Sequence, residues 1–175
     1  VNPFDKTTTD NTICLLNCAP DGVMEMSADI DGLVQTSLNC GVLKTEENTL
    51  IADFSIRSSI TSQKNMISAK IANLITILGG SAKTFGDYPG WEYSKESKLR
   101  PLLIEVFKEQ FGREPEIAAI HAGLECGLFL EKFNNLDMIS FGPTLRGVHA
   151  PGERLDLASN EKFVNLLVDV VTNFS

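Results

Sequence analysis

No apolar run in this 175-residue chain approaches the roughly 18 residues that a helix needs to cross a bilayer, so no membrane partner is expected. Cationic side chains are in short supply. Fifteen Lys and Arg stand against 23 Asp and Glu, a formal net charge of −8. That balance excludes a nucleic-acid binder, because phosphate recognition needs clustered Lys and Arg. Cysteine is scarce too: Cys14, Cys18, Cys40 and Cys126 are too sparse for a disulfide scaffold, which favours a reduced, cytoplasmic setting. Histidine occurs twice, as His121 and His149. There is no internal repeat and no low-complexity segment. The first residues, Val1-Asn2-Pro3-Phe4-Asp5-Lys6, contain neither an initiator Met nor a signal peptide, so the chain is expected to begin inside a longer protein or to be a processed product. What is present is globular in character. Hydrophobic residues make up 43%, too many for a disordered chain, and the length suits one domain or two small ones.

The hydrophobic period changes along the chain. Residues 7–19 read as a helix, with Ile13, Leu15, Leu16 and Cys18 apolar and Pro20-Asp21-Gly22 as the stop. Cys14 and Cys18 share one face of it at i, i+4. Two metal thiolates are one reading, but no second Cys or His pair completes a zinc site, and apolar packing is expected. A short strand is expected near Val23–Met26. From Val34 the alternation is two-residue: Val34, Thr36, Leu38, Cys40 and Val42 face one way, and after the polar stretch 44–48 Leu50, Ala52, Phe54 and Ile56 do the same. This predicts a β-hairpin. Ile67, Ile71, Leu74, Ile75 and Leu78 then mark a helix closed by Gly79-Gly80. A short strand at 82–85 leads to the turn-rich segment 86–91, where the domain boundary is expected.

Beyond it, Leu99, Leu102, Leu103, Val106 and Phe107 predict a helix with Pro101 in its first turn. Strands are expected at 116–120 and 136–141, a short helix at 123–130, and a final amphipathic helix with Ser159 as N-cap. The fold class is α/β: an antiparallel sheet under helices in the first half, an incomplete parallel layer in the second.

Ligands of open α/β sheets bind beyond the carboxyl ends of strands, which singles out 121–127 and 142–154. His149 is a loop imidazole, either a surface polar group or a metal ligand. Glu125 opens a short helix between Gly123 and Gly127. It either complements the helix dipole or faces a substrate in a cleft. Arg57 either pairs with Asp53 on the polar strand face or grips a substrate carboxylate with its planar fork. Asn39 is a candidate amide contact.

Three segments carry a family resemblance: His121-Ala-Gly-Leu-Glu-Cys-Gly-Leu-Phe129, Met138-Ile-Ser-Phe-Gly-Pro143 and His149-Ala-Pro-Gly-Glu153. Upstream, Leu15-Leu-Asn-Cys-Ala-Pro-Asp-Gly22, Thr36-Ser-Leu-Asn-Cys-Gly-Val42, Ile56-Arg-Ser58 and Tyr88-Pro-Gly-Trp91 agree in the same order. Together they resemble aminoacyl-histidine dipeptidases over essentially the whole chain. The resemblance implies a two-zinc metallopeptidase (manganese or cobalt being alternatives) whose α/β catalytic domain is interrupted by a lid that forms homodimers. It makes 1–88 the later part of the lid and 89–175 the closing part of the catalytic domain, that is, part of an α/β/α zinc-peptidase domain. It assigns His149 to a metal, Arg57, Glu125, Gly123 and Asn39 to the dipeptide substrate, and Glu153 to supporting the His149 loop. The family's His-x-Asp motif and catalytic Glu-Glu pair have no match; Glu46-Glu47 falls in the hairpin. A C-terminal fragment is therefore expected, with no catalytic residues of its own, metal-free when isolated, and, as the alternative role, self-associating through the lid sheet, whose strand edge near 34–43 is expected to be free to pair across a two-fold. Apolar surface left uncovered by the absent part is expected to promote association.

Overall fold

Ten short elements follow one another in a computed structural model that describes residues 3–119, 125–133 and 135–174. They are α1 (Lys6–Cys18), β1 (Gly22–Met26), β2 (Val34–Glu46), β3 (Thr49–Ser58), α2 (Thr61–Ile77), α3 (Leu99–Phe111), α4 (Glu125–Lys132), β4 (Leu145–Arg146), β5 (Arg154–Leu155) and α5 (Leu157–Asn173). The chain divides into two units, residues 1–93 with 119–131, and residues 94–118 with 132–175.

In the first unit β1, β2 and β3 form an antiparallel sheet in that order. The β2–β3 hairpin is longer than the polar stretch suggested. Lys44, Thr45 and Glu46 pair with Ile51, Leu50 and Thr49, leaving a two-residue turn in which Glu47 takes φ 49°. A register shift at 40–42 introduces a bulge. Leu38 of the sheet meets Ile67 and Ile71 of α2, all three buried, with Met24, Phe54, Ile56 and Ile75 around them. Burial of each such side chain stabilises by about 1.5–3 kcal/mol. The glycine pair ends α2 as expected: Gly79, at φ 80°, donates to the Thr76 carbonyl at 3.0 Å and Gly80 to that of Ile75 at 2.9 Å. Asp5 caps α1, accepting the Thr8 N–H at 2.8 Å.

Two expectations fail in this unit and a third holds in part. Residues 82–85 form no strand. Helix α1 buries no residue, so Ile13 and Leu16 stay exposed and Cys18 is exposed with Cys14 half-buried, not packed in a core. The free strand edge expected at 34–43 is covered by β1 over Val34–Leu38 alone; beyond Leu38, β2 pairs with β3 on one side only. The sheet's outer edges are β1, β3 and, beyond the reach of β1, residues 39–46 of β2.

The second unit centres on α3 and α5, whose Leu103, Val106, Leu166 and Val170 are buried together. Pro101 sits in the first turn of α3, and Gly112, at φ 66°, ends that helix. The α/β class holds, but the parallel layer does not form among the described residues. Residues 116–119 and 136–141 run without a ladder, and the strands present here are the antiparallel pair β4–β5. A strand alone leaves its amides unpaired. The apolar alternation of 136–141 is used instead for packing, with Ile139 and Phe141 lying on the α3–α5 core and Phe141 edge-on to Phe163. The N-cap of α5 is Asp156, not Ser159: Asp156 Oδ1 accepts the Ser159 N–H at 2.9 Å.

Candidate functional site

Strand register assembles a polar face on the first unit. Arg57 pairs with Ser37 and Asn39 with Ser55, so these four side chains share the side opposite Leu38 and Ile56. Arg57 and Asn39 are both exposed diagonal neighbours, a relation that spaces residues by about 7–8 Å. Among the described residues no ion pair joins Arg57 to Asp53, so this guanidinium is not taken up by its own strand.

The strand end that carries Arg57 is anchored from below. Thr36 and Ser58 are buried partners whose hydroxyls lie 2.8 Å apart. Thr36 also donates to the Gln63 side-chain oxygen, and Gln63 donates from its nitrogen to Glu25. Ser58 Oγ meets both the N–H and the carbonyl of Ile60 at 3.0 Å. One hydrogen-bonded set thus ties β1, β2, β3 and α2 where Arg57 leaves the sheet.

Segment 87–90 connects this strand end to α4. Lys64 continues the apolar stripe of α2 by one turn, and its Nζ binds Asp87 Oδ1 at 2.5 Å and the Tyr88 carbonyl at 2.6 Å. A Cβ on Gly90 would collide with the backbone of Ser59, and one on Gly127 would stand 2.6 Å from the Pro89 carbonyl oxygen. Both glycines are therefore required for close backbone approach. Glu125 lies two residues before Gly127, exposed in the first turn of α4. Burial pushes the Tyr88 phenol up, and the charges of Glu125 and Cys126 push it the same way. Gly123, and His121 with it, lie outside the described residues.

In the second unit His149 occupies the loop between β4 and β5. It is exposed and left-handed at φ 63°, flanked by Gly147 at φ 63° and Gly152 at φ 89°. Glu153 holds it through the main chain, its Oε2 accepting the His149 N–H at 3.1 Å. The Ala150 N–H donates to Gly147 at 3.2 Å and the Glu153 N–H to Ala150 at 3.1 Å, closing the loop. A non-glycine residue held in this region costs of order 1 kcal/mol, and such residues cluster at functional positions.

These residues do not by themselves make a zinc centre. Among the described residues no group of three or more His, Cys, Asp or Glu is placed to hold a metal ion, whereas each zinc needs about three protein ligands. An open groove of about 480 Å³ at the start of α3, lined by Lys95, Arg100, Ile104 and Lys108 among others, holds none of the expected site residues.

Comparison with known proteins bears on the whole arrangement. The chain is 37% identical over 162 residues to the cytosol non-specific dipeptidase of Escherichia coli, covering 93% of this chain and 33% of that protein. The crystal structure of aminoacylhistidine dipeptidase from Vibrio alginolyticus superposes with a TM-score of 0.87 at 35% identity, over 98% of this chain and 36% of that one. The chain is similar to aminoacyl-histidine dipeptidases. It spans about a third of the length of these dipeptidase relatives. The aminopeptidase PepT from Bacillus cereus shares the fold, with a TM-score of 0.69 at 15% identity over 93% of this chain and 44% of its own. No family model matches. Among the described residues no helix is long and apolar enough to cross a membrane.

Two positioning groups lay beyond the sequence reading. Lys64 and Asp87 were not singled out, although a lysine on an otherwise apolar helical stripe is the available signal. The cap that Asp137 supplies to α3 had no local signal, being 38 residues away.

Proposed function

We propose that this chain supplies part of a metal-dependent cytosolic dipeptidase that hydrolyses Xaa-His and related dipeptides. The observation that carries the reading is 37% identity to a dipeptidase along 93% of the chain. In it, Arg57 binds the substrate carboxylate from the open sheet face, Asn39 adds an amide contact, and Glu125 with Gly123 borders the substrate. His149 is one ligand of a zinc pair, or of manganese or cobalt, and Glu153 keeps its loop in shape. The other ligands and the general base come from residues outside these 175. The isolated chain is accordingly expected neither to cleave a Xaa-His dipeptide nor to hold zinc tightly at His149. Assay of the purified chain with zinc tests this directly, and brisk zinc-dependent hydrolysis would refute it. In the complete parent protein, His149→Ala is expected to lower zinc content and activity together; unchanged zinc and rate remove His149 from the site.

A second reading is a non-catalytic module that self-associates, as a homodimer, through the lid sheet. The open outer edge of β3 and the exposed Val42 and Leu43 favour it. Sedimentation that finds only monomer at high concentration argues against it.

A further inference from the structure

Helix α1 carries a pair of thiols that the proposed dipeptidase role does not use. Cys14 and Cys18 stand one turn apart on the same face, with sulfurs 3.9 Å apart and sharing a hydrogen bond. Cys18 is exposed and Cys14 half-buried, so the pair opens to solvent. Two thiolates bound to one tetrahedral ion, each at about 2.3 Å, are separated by about 3.8 Å. The separation in α1 matches that bite, and the helix holds it without any change of backbone. Asp10, one turn earlier, pairs with Lys6 at 2.6 Å, and among the described residues no third His, Cys, Asp or Glu is placed to join the two sulfurs, which leaves a two-sulfur site. The other thiols differ: the Cys40 S–H goes to the Val42 carbonyl at 3.7 Å.

We propose that Cys14 and Cys18 form a bidentate site for a soft, thiophilic d10 metal ion, whose remaining positions are filled by water or an exogenous ligand. Thiolate sulfur selects such ions over magnesium or calcium. Binding replaces two S–H bonds by two metal–sulfur bonds and releases two protons for each divalent ion, with no change of oxidation state. Because each thiol must lose its proton to bind the ion, binding should weaken as pH falls.

Cadmium chloride is the probe, added to the freshly reduced chain under argon while the sulfur-to-cadmium charge-transfer absorption and the released protons are followed. One ion per chain at this site and two protons per ion are expected. Cys18→Ser and Cys14→Ser should each weaken binding by at least about 100-fold, since each leaves a single bond in place of a chelate. Cys40→Ser, Cys126→Ser and His149→Ala should leave it intact, which separates this site from the dipeptidase reading. Circular dichroism of Cys18→Ser, altered at an exposed position, checks that α1 persists. The same absorption in the Cys14→Ser, Cys18→Ser double variant, or a single variant that binds as before, overturns the proposal.

Discussion

Gly127 lies directly against Pro89, so close that a Cβ on the glycine would stand 2.6 Å from the proline carbonyl oxygen. Through this contact the segment after Asp87 seats α4, and with it Glu125, beside the strand end that carries Arg57. Gly127→Ala must push the backbone of 89–90 away, and overpacking of this kind costs about 1–3 kcal/mol. Denaturant unfolding should show that loss. Gly142→Ala, where a Cβ meets nothing within 4 Å, should change stability by no more than about 0.5 kcal/mol. Equal effects of the two substitutions would contradict the packing described.

Lys64 is the other support of that segment. Its side chain is 13% exposed, whereas that of its partner Asp87 is 66% exposed. Asp87→Asn should therefore cost less than about 1 kcal/mol, as for a largely solvated ion pair. Lys64→Met also loses the bond to the Tyr88 carbonyl and should cost about 1–2 kcal/mol, given that hydrogen bonds to charged groups contribute about 1.5–3 kcal/mol. Hydrogen exchange at 87–92 should quicken in Lys64→Met. Unchanged protection there would remove Lys64 from its positioning role.

Asp137 caps α3 from outside the helix, its Oδ2 accepting the Lys98 N–H at 2.6 Å and the Leu99 N–H at 2.9 Å. Burial raises its pKa, but the bonds from Leu99, Ser97 and Lys98 and the nearby Arg100 outweigh burial and hold it below the usual 3.8. A depressed folded value means that the contribution is whole above 3.8 and fades as pH falls through the lower value. Acid unfolding should be less steep in Asp137→Asn. Asp137→Ala should cost about 1 kcal/mol at neutral pH, as loss of a cap does. An identical acid limb in Asp137→Asn would refute this.

The Tyr88 phenol should titrate above 10, the ordinary value, with burial as the larger cause and Glu125 the next. In a Tyr93→Phe background, which leaves Tyr88 as the remaining tyrosine, ultraviolet titration should find this value. Glu125→Gln should bring it down. A titration indifferent to Glu125 would show that the two groups are not neighbours.

Much of the first unit was legible residue by residue. The alternation at 34–42 and 50–56 specified the hairpin, because a buried sheet face demands period two, and Ile67 with Ile71 specified the stripe of α2 that covers it. Gly79-Gly80 marked the helix end through the positive φ that only glycine adopts without cost. Segment 136–141 carries the same kind of apolar alternation, yet it packs on helices without joining a ladder. Helix α1 carries apolar spacing but buries no residue, since such spacing does not reveal whether anything lies opposite. Arg57 and Asn39 were placed on a polar strand face from the alternation alone.

The sequence by itself determined the β2–β3 hairpin with its polar and apolar faces, the helices α1, α2, α3 and α5, and the likeness to aminoacyl-histidine dipeptidases, all of which depend on neighbours within a few residues or on ordered motifs. Tertiary structure alone decided what long-range contact decides. It set the close approach of Gly127 to Pro89, the hold of Lys64 on Asp87, the cap from Asp137 and the anchoring of His149 by Glu153 in a left-handed loop. It also left Cys18 exposed and Cys14 half-buried, because α2 covers the sheet and α1 buries no residue.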